Sequence, residues 1–133
     1  MDISGLKRQH SEIRDEMNKL KSFISNDVVS NSFEMAKEIS FMAGKLKIHL
    51  QSEDKYLYPK LLQSNNLKLR DLAKSYISEM SNVSSEFELY KNKYNTKSKI
   101  IDNSTEIINE TKKVLDLLEK RLYKEDRELY PLV

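Results

Sequence analysis

His49 and Glu53 stand four residues apart, and Glu125 stands four residues after Arg121, in two stretches that share most of their letters. HLQSEDKYLYP runs from His49 to Pro59 and RLYKEDRELYP from Arg121 to Pro131, identical at six of eleven positions. Residues i and i+4 of a helix share a face, so His49 and Glu53 present an imidazole and a carboxylate to one neighbour. Both are ligands for first-row cations such as iron, manganese or zinc. The second copy keeps the carboxylate but begins with a guanidinium, which has no lone pair to give and carries a permanent charge. The chain thus holds an internal repeat around a candidate metal-ligand pair, with one copy altered.

The elements that must position these groups are helices. Leu6, His10, Ile13, Met17, Leu20 and Ile24 alternate by steps of four and three, which predicts a helix over 4–25 with His10 facing inward. A polar break at Ser25, Asn26 and Asp27 precedes a second stripe, Ala36, Ile39, Ala43, Leu46, Leu50, Glu53, Leu57 and Leu61, in a helix over 31–62. Asn31 with Glu34 offers it a capping box, and Pro59 is expected to end or bend it near its last turn. After LQSNN the stripe Leu69, Ala73, Tyr76, Met80, Val83, Phe87, Tyr90 and Tyr94 predicts a helix over 67–94. KYNTKSK reads as a connection. The last helix, over 103–132 and capped by Asn103 with Glu106, carries Ile108, Thr111, Leu115, Leu118, Leu122, Glu125 and Leu129. Glu53 and Glu125 both occupy places where the stripe calls for an apolar residue.

A chain of 133 residues with 38% apolar and 33% charged residues is one domain, 1–133, of narrow-striped helices. Two glycines and two prolines are too few turn formers for a β-rich fold. The expected class is all-α, an antiparallel up-down-up-down four-helix bundle joined by short connections. A net charge of +2 spread over interspersed lysines and glutamates gives no footprint for nucleic acid. The absence of cysteine excludes disulfides, thiolate metal sites and a cysteine nucleophile. No apolar run reads as a signal peptide or a membrane span, so a soluble cytoplasmic protein without membrane partners is expected.

Counting residues from each turn places His10 and His49 within roughly 4 to 5 Å in depth at 1.5 Å per residue. Met80 and Arg121 fall at the same level. His10, His49, Glu53, Met80, Arg121 and Glu125 therefore converge on one layer of the core, which contains both histidines of the chain. Two imidazoles and two carboxylates inside a bundle can hold a first-row metal with room for water or a small ligand. The plainer alternative is a buried histidine–carboxylate hydrogen bond, with Arg121 neutralising Glu53 or Glu125 and no metal.

Over almost its whole length the chain resembles a hemerythrin-like, HHE-type cation-binding domain. The resemblance lies in His10, in the His49–Glu53 pair with its EDKYLYP continuation, and in the KEDRELYPL ending around Glu125. It implies a four-helix bundle around a non-haem di-iron centre, used for oxygen binding, oxygen, nitric oxide or redox sensing, or iron handling. In the full pattern carboxylates of the second and fourth helices bridge two irons. One iron takes a histidine from each of the first two helices, the other its histidines from the last two.

Against that pattern His10, His49, Glu53 and Glu125 are present as metal ligands. The second iron's histidines are absent, with Arg121 at one such position and Tyr76 and Met80 on the facing stripe. Iron is the expected cofactor, mononuclear rather than di-iron. Glu79 and Glu86 are reserve ligands beside the third stripe. Tyr56, Tyr58, Tyr123 and Tyr130 surround the two phrases and can supply supporting hydrogen bonds. The expected partner is a small diatomic ligand. A different class of reading is a metal-free bundle serving as a protein-interaction module, with Arg121 paired to Glu53 or Glu125. Hydrolysis by Glu53 and Glu125 as acid and base has no visible substrate cleft, so catalysis is not the favoured role.

Overall fold

The first stripe forms α1 (Ser4–Ser25), with Leu6, His10, Ile13, Met17 and Leu20 buried along one side. In the computed structural model, which describes residues 2–133, every regular element among the described residues is helical. The others are α2 (Ser32–Ser52), α3 (Tyr58–Leu62), α4 (Leu67–Tyr94), α5 (Lys97–Asp102) and α6 (Glu106–Lys124). A π-helical turn, Glu53–Leu57, joins α2 to α3, and another, Glu125–Leu129, continues α6 into a last 3₁₀ turn, Tyr130–Leu132. The fold is all-α. Helix α1 packs on α2, α2 on α4, α4 on α6 and α6 on α1, closing a ring. Glu16 meets Lys45 at 3.1 Å, whereas Gln9, earlier on α1, meets Ser52, later on α2, so contacts along this pair run in opposite senses. The Arg121–Glu79 and Tyr90–Thr111 contacts do the same for α6 and α4.

Pro59 does not end its helix. A proline has no N–H to donate, and its ring collides with the carbonyl four residues back. The chain answers by widening one turn: the Tyr58 N–H donates to Glu53 O, five residues back, and the helix continues to Leu62. Pro131 has the same effect, with the Tyr130 N–H donating to Glu125 O. One extra residue in the turn shifts the helical phase of its neighbours, so Glu53, Leu57 and Tyr58 all face inward and Tyr56 faces solvent.

Local details depart from the capping expectations. The Asn31 side chain donates to Asp27 O at 2.8 Å instead of capping α2, and Asn103 donates to Lys99 O at 2.9 Å instead of capping α6, which begins after Thr105. In both cases a carbonyl of the preceding turn competes for the amide. The expected connection after Tyr94 is helical, because Thr96 caps α5 by accepting from Lys99 N at 3.3 Å and Ile100 is fully buried beneath it.

The core is in two parts. One cluster gathers Ile13, Met17, Leu20, Ile39, Leu46, Val83, Phe87, Leu118 and their neighbours; the other gathers Leu6, Leu57, Leu61, Ala73, Tyr76, Leu129 and Tyr130. On every long helix the residue between the clusters is a member of the predicted layer: His10 on α1, His49 and Glu53 on α2 and its π turn, Met80 on α4, Arg121 and Glu125 at the end of α6. Each large aliphatic side chain buried on either side contributes roughly 1.5–3 kcal/mol. Those contributions offset the cost of holding ionisable groups between two dry clusters.

Candidate metal centre

His10, His49, Glu53 and Glu125 are brought together, each offering one donor atom, all within 4.8 Å of one another. None is more than 1% exposed. The Nε2 atoms of His10 and His49 face each other at 3.0 Å. Glu53 Oε1 lies 3.2 Å from His49 Nε2, and Glu125 Oε1 lies 3.5 Å from His10 Nε2 and 3.8 Å from His49 Nε2. Both of these carboxylate oxygens are buried without a hydrogen-bond partner.

The far side of each ring decides what the near side can be. Ser52 Oγ donates to Ile48 O at 2.9 Å, so it must accept from the Gln9 amide nitrogen, at 3.2 Å. That turns Gln9 Oε1 toward His49 Nδ1, 2.9 Å away, and fixes the ring proton there. Asp126 does the same for His10: Arg14 donates to its Oδ2 at 2.7 Å, and its Oδ1 accepts from His10 Nδ1 at 2.8 Å. With both Nδ1 positions protonated, both Nε2 atoms point lone pairs at each other and at two carboxylate oxygens. Such a convergence of electron pairs in a dry layer requires positive charge at its centre.

In the protein alone, protons supply that charge. Burial opposes a charge on His49, but the Glu125 and Glu53 carboxylates beside it outweigh that and raise the ring to about 9. Burial and the neighbouring His49 pull His10 down to about 4. Burial, with the Glu125 carboxylate beside it, lifts Glu53 to about 8. A cation held by these same atoms replaces the protons, so the donor set fits a metal of the iron, manganese or zinc kind.

The other half of the layer is built differently. Tyr76 and Met80 are buried on α4, and Tyr76 donates toward Lys124 O (3.0 Å) and Glu128 Oε2 (2.9 Å). The Arg121 guanidinium forms its ion pair with Glu79, not with Glu53 or Glu125. This corrects the expected partner, and the physical reason is solvation. Glu79 is 39% exposed, so the guanidinium reaches outward to a carboxylate that stays partly hydrated. Glu79 is thereby engaged away from the cluster, and Glu86 lies on the solvent side of α4.

Of the four tyrosines, Tyr58 and Tyr130 reach the cluster while Tyr56 and Tyr123 are exposed. Tyr58 donates to Glu125 Oε2 at 3.4 Å and Tyr130 to Glu53 Oε2 at 3.0 Å, each phrase serving the carboxylate of the other. Gln9, Arg14 and Asp126 are not among the residues that the sequence singles out. Asp126 is legible in retrospect as the shared acid of the two phrases, whereas Gln9 and Arg14 carry no signal beyond standing beside and one turn after His10.

No curated protein and no solved structure matches the chain significantly. Its residues 1–133 match the family model of the hemerythrin HHE cation binding domain, and the chain belongs to that family.

Proposed function

We propose that this protein binds one non-haem iron per chain through His10, His49, Glu53 and Glu125, and that the bound iron takes a small diatomic ligand such as oxygen or nitric oxide for sensing, binding or iron handling. One observation carries the reading: two imidazole lone pairs and two orphaned carboxylate oxygens converge while Gln9 and Asp126 hold both Nδ1 protons on the outside. A histidine and carboxylate set suits iron, which supplies a redox-active centre with positions open to a small ligand.

The protein's own groups prepare that site. Gln9 and Asp126 orient the rings, Tyr58 and Tyr130 orient the carboxylates, and the two apolar clusters keep bulk water out. The single-ion stoichiometry follows from Arg121, whose fixed charge opposes a second cation and whose guanidinium cannot ligate. Elemental analysis of protein purified without chelator, with an absorption spectrum before and after nitric oxide, tests this. Close to one iron per chain and a spectral change with the gas are expected. Folded protein that takes up no metal would point instead to an interaction module, and two tightly held irons would refute the single-ion reading.

A further inference from the structure

We propose that Tyr130 is a fifth ligand of the bound metal, through its phenol oxygen, and that Tyr58 is not; this rests on the metal-binding reading above. Tyr130 is 2% exposed, and its ring stacks on His10 with centroids 5.0 Å apart at 27°. Its hydroxyl oxygen lies 3.0 Å from His10 Nε2 and 3.0 Å from Glu53 Oε2. A cation held between His10 Nε2 and Glu53 Oε1 sits roughly 2 Å from each, and neighbouring ligands of one ion then stand roughly 3 Å apart. The phenol oxygen stands at that spacing from His10 Nε2, with Glu53 Oε2 left to take its proton.

Tyr58 occupies the matching place in the first phrase with a different outcome. Its hydroxyl contacts Glu125 Oε2 at 3.4 Å, and the ring lines a cleft of about 400 Å³ between α2 and α4, together with Met80 and Ile77. It faces the side of the layer that lacks histidine, so it positions Glu125 and does not ligate. The difference follows from what each π turn delivers its tyrosine against. The turn before Tyr130 brings it to His10 on α1; the turn before Tyr58 brings it toward Met80 on α4.

Ligation as phenolate exchanges an O–H bond for a metal–oxygen bond and releases one proton. Glu53 Oε2, which already accepts the phenol's hydrogen bond, is its first acceptor. With ferric iron, a phenolate ligand gives a charge-transfer band in the visible, and excitation within it enhances tyrosinate Raman modes. The experiment loads the parent, Tyr130→Phe and Tyr58→Phe with ferric iron and measures iron content, circular dichroism and the visible and Raman spectra of each. The expected result is the band in the parent and in Tyr58→Phe and its loss in Tyr130→Phe. Iron-loaded parent without the band, or a band that survives Tyr130→Phe, overturns the proposal. If folded Tyr130→Phe holds no iron, the Tyr58→Phe spectrum decides: an unchanged band assigns it to Tyr130, and a lost band overturns the assignment. A folded parent that takes up no iron defeats the metal-binding reading itself, an outcome iron content alone distinguishes.

Discussion

His49 and Arg121 open the same phrase on two helices, and their surroundings differ in where positive charge comes from. Around His49 the layer is dry, its rings are pinned by Gln9 and Asp126, and two carboxylate oxygens lack partners. Around Arg121 a guanidinium carries its own charge to Glu79 at the rim, and Tyr76 satisfies Lys124 O and Glu128. Backbone is not the difference, since both phrases make a π turn and both end in an inward tyrosine before a proline. One side chain decides whether a half of the layer needs a cation or brings one.

The comparison breaks most sharply at the histidine half. His49→Ala and Glu53→Ala each remove a donor atom, and metal affinity is expected to fall by more than the roughly 10- to 100-fold typical of losing a supporting residue. Arg121→Ala is expected to leave affinity near that of the parent. Isothermal titration with ferrous iron under anaerobic conditions checks both, with circular dichroism to show that the variants fold. Equal metal content in folded His49→Ala and parent would mean that the repeat records ancestry without a site.

The next largest effect belongs to the groups behind the rings. Asp126→Ala and Gln9→Ala remove the acceptors that fix the ring protons on Nδ1, and each is expected to weaken metal binding by about 10- to 100-fold. These are also the residues that mark how far the sequence is legible. The stripes locate every long helix, and the depth count places His10, His49, Glu53 and Glu125 in one layer, because period and rise follow from helix geometry alone. Asp126 and Gln9 are polar residues at half-exposed positions, where pattern gives no information. The partner of Arg121 is hidden for a related reason: a stripe tells which way a side chain leaves its helix but not how far a long, charged one travels toward water. The π turns are hidden because Pro59 signals interruption without saying that the chain can widen a turn and carry on.

Acidity sharpens the comparison further. His49 at about 9 and Glu53 at about 8 both hold protons at neutral pH, and a metal must displace them. Affinity is therefore expected to fall as pH drops below about 9, by about tenfold per pH unit for each proton displaced. His10, drawn down to about 4, is already free of a second proton across this range and adds nothing to the slope. Metal titrations between pH 6 and 9 test the sign. A flat profile would show that Glu53 and His49 do not hold the ion.

At the arginine half the expected effects are on stability and stoichiometry. Arg121→Ala loses the packing of the aliphatic stem and the pair with Glu79, at a cost of about 1–2 kcal/mol, limited because Glu79 remains open to solvent. Arg121→His supplies one imidazole and still no second ion, since Tyr76 and Met80 offer nothing opposite. Urea unfolding measures the first and iron per chain the second. A second iron in Arg121→His would show that Glu79, freed from its pair, can serve as a ligand.

The smallest effects separate the exposed tyrosines of the two phrases from the buried ones. Tyr56 is 60% exposed beside Lys55, and Tyr123 is 55% exposed beside Arg127, with the cation 5.1 Å and 5.3 Å from the respective ring centroids. Exposed pairs of this kind contribute roughly 0.5–1 kcal/mol. Tyr56→Ala and Tyr123→Ala are therefore expected to shift stability by about that amount and to leave metal affinity unchanged. Tyr58→Phe, two residues from Tyr56 in sequence, instead leaves Glu125 without its phenol donor, and a loss of metal affinity of up to about tenfold is expected. If Tyr56→Ala weakened metal binding as much as Tyr58→Phe, the phase shift introduced by the π turn would not be what sorts these residues.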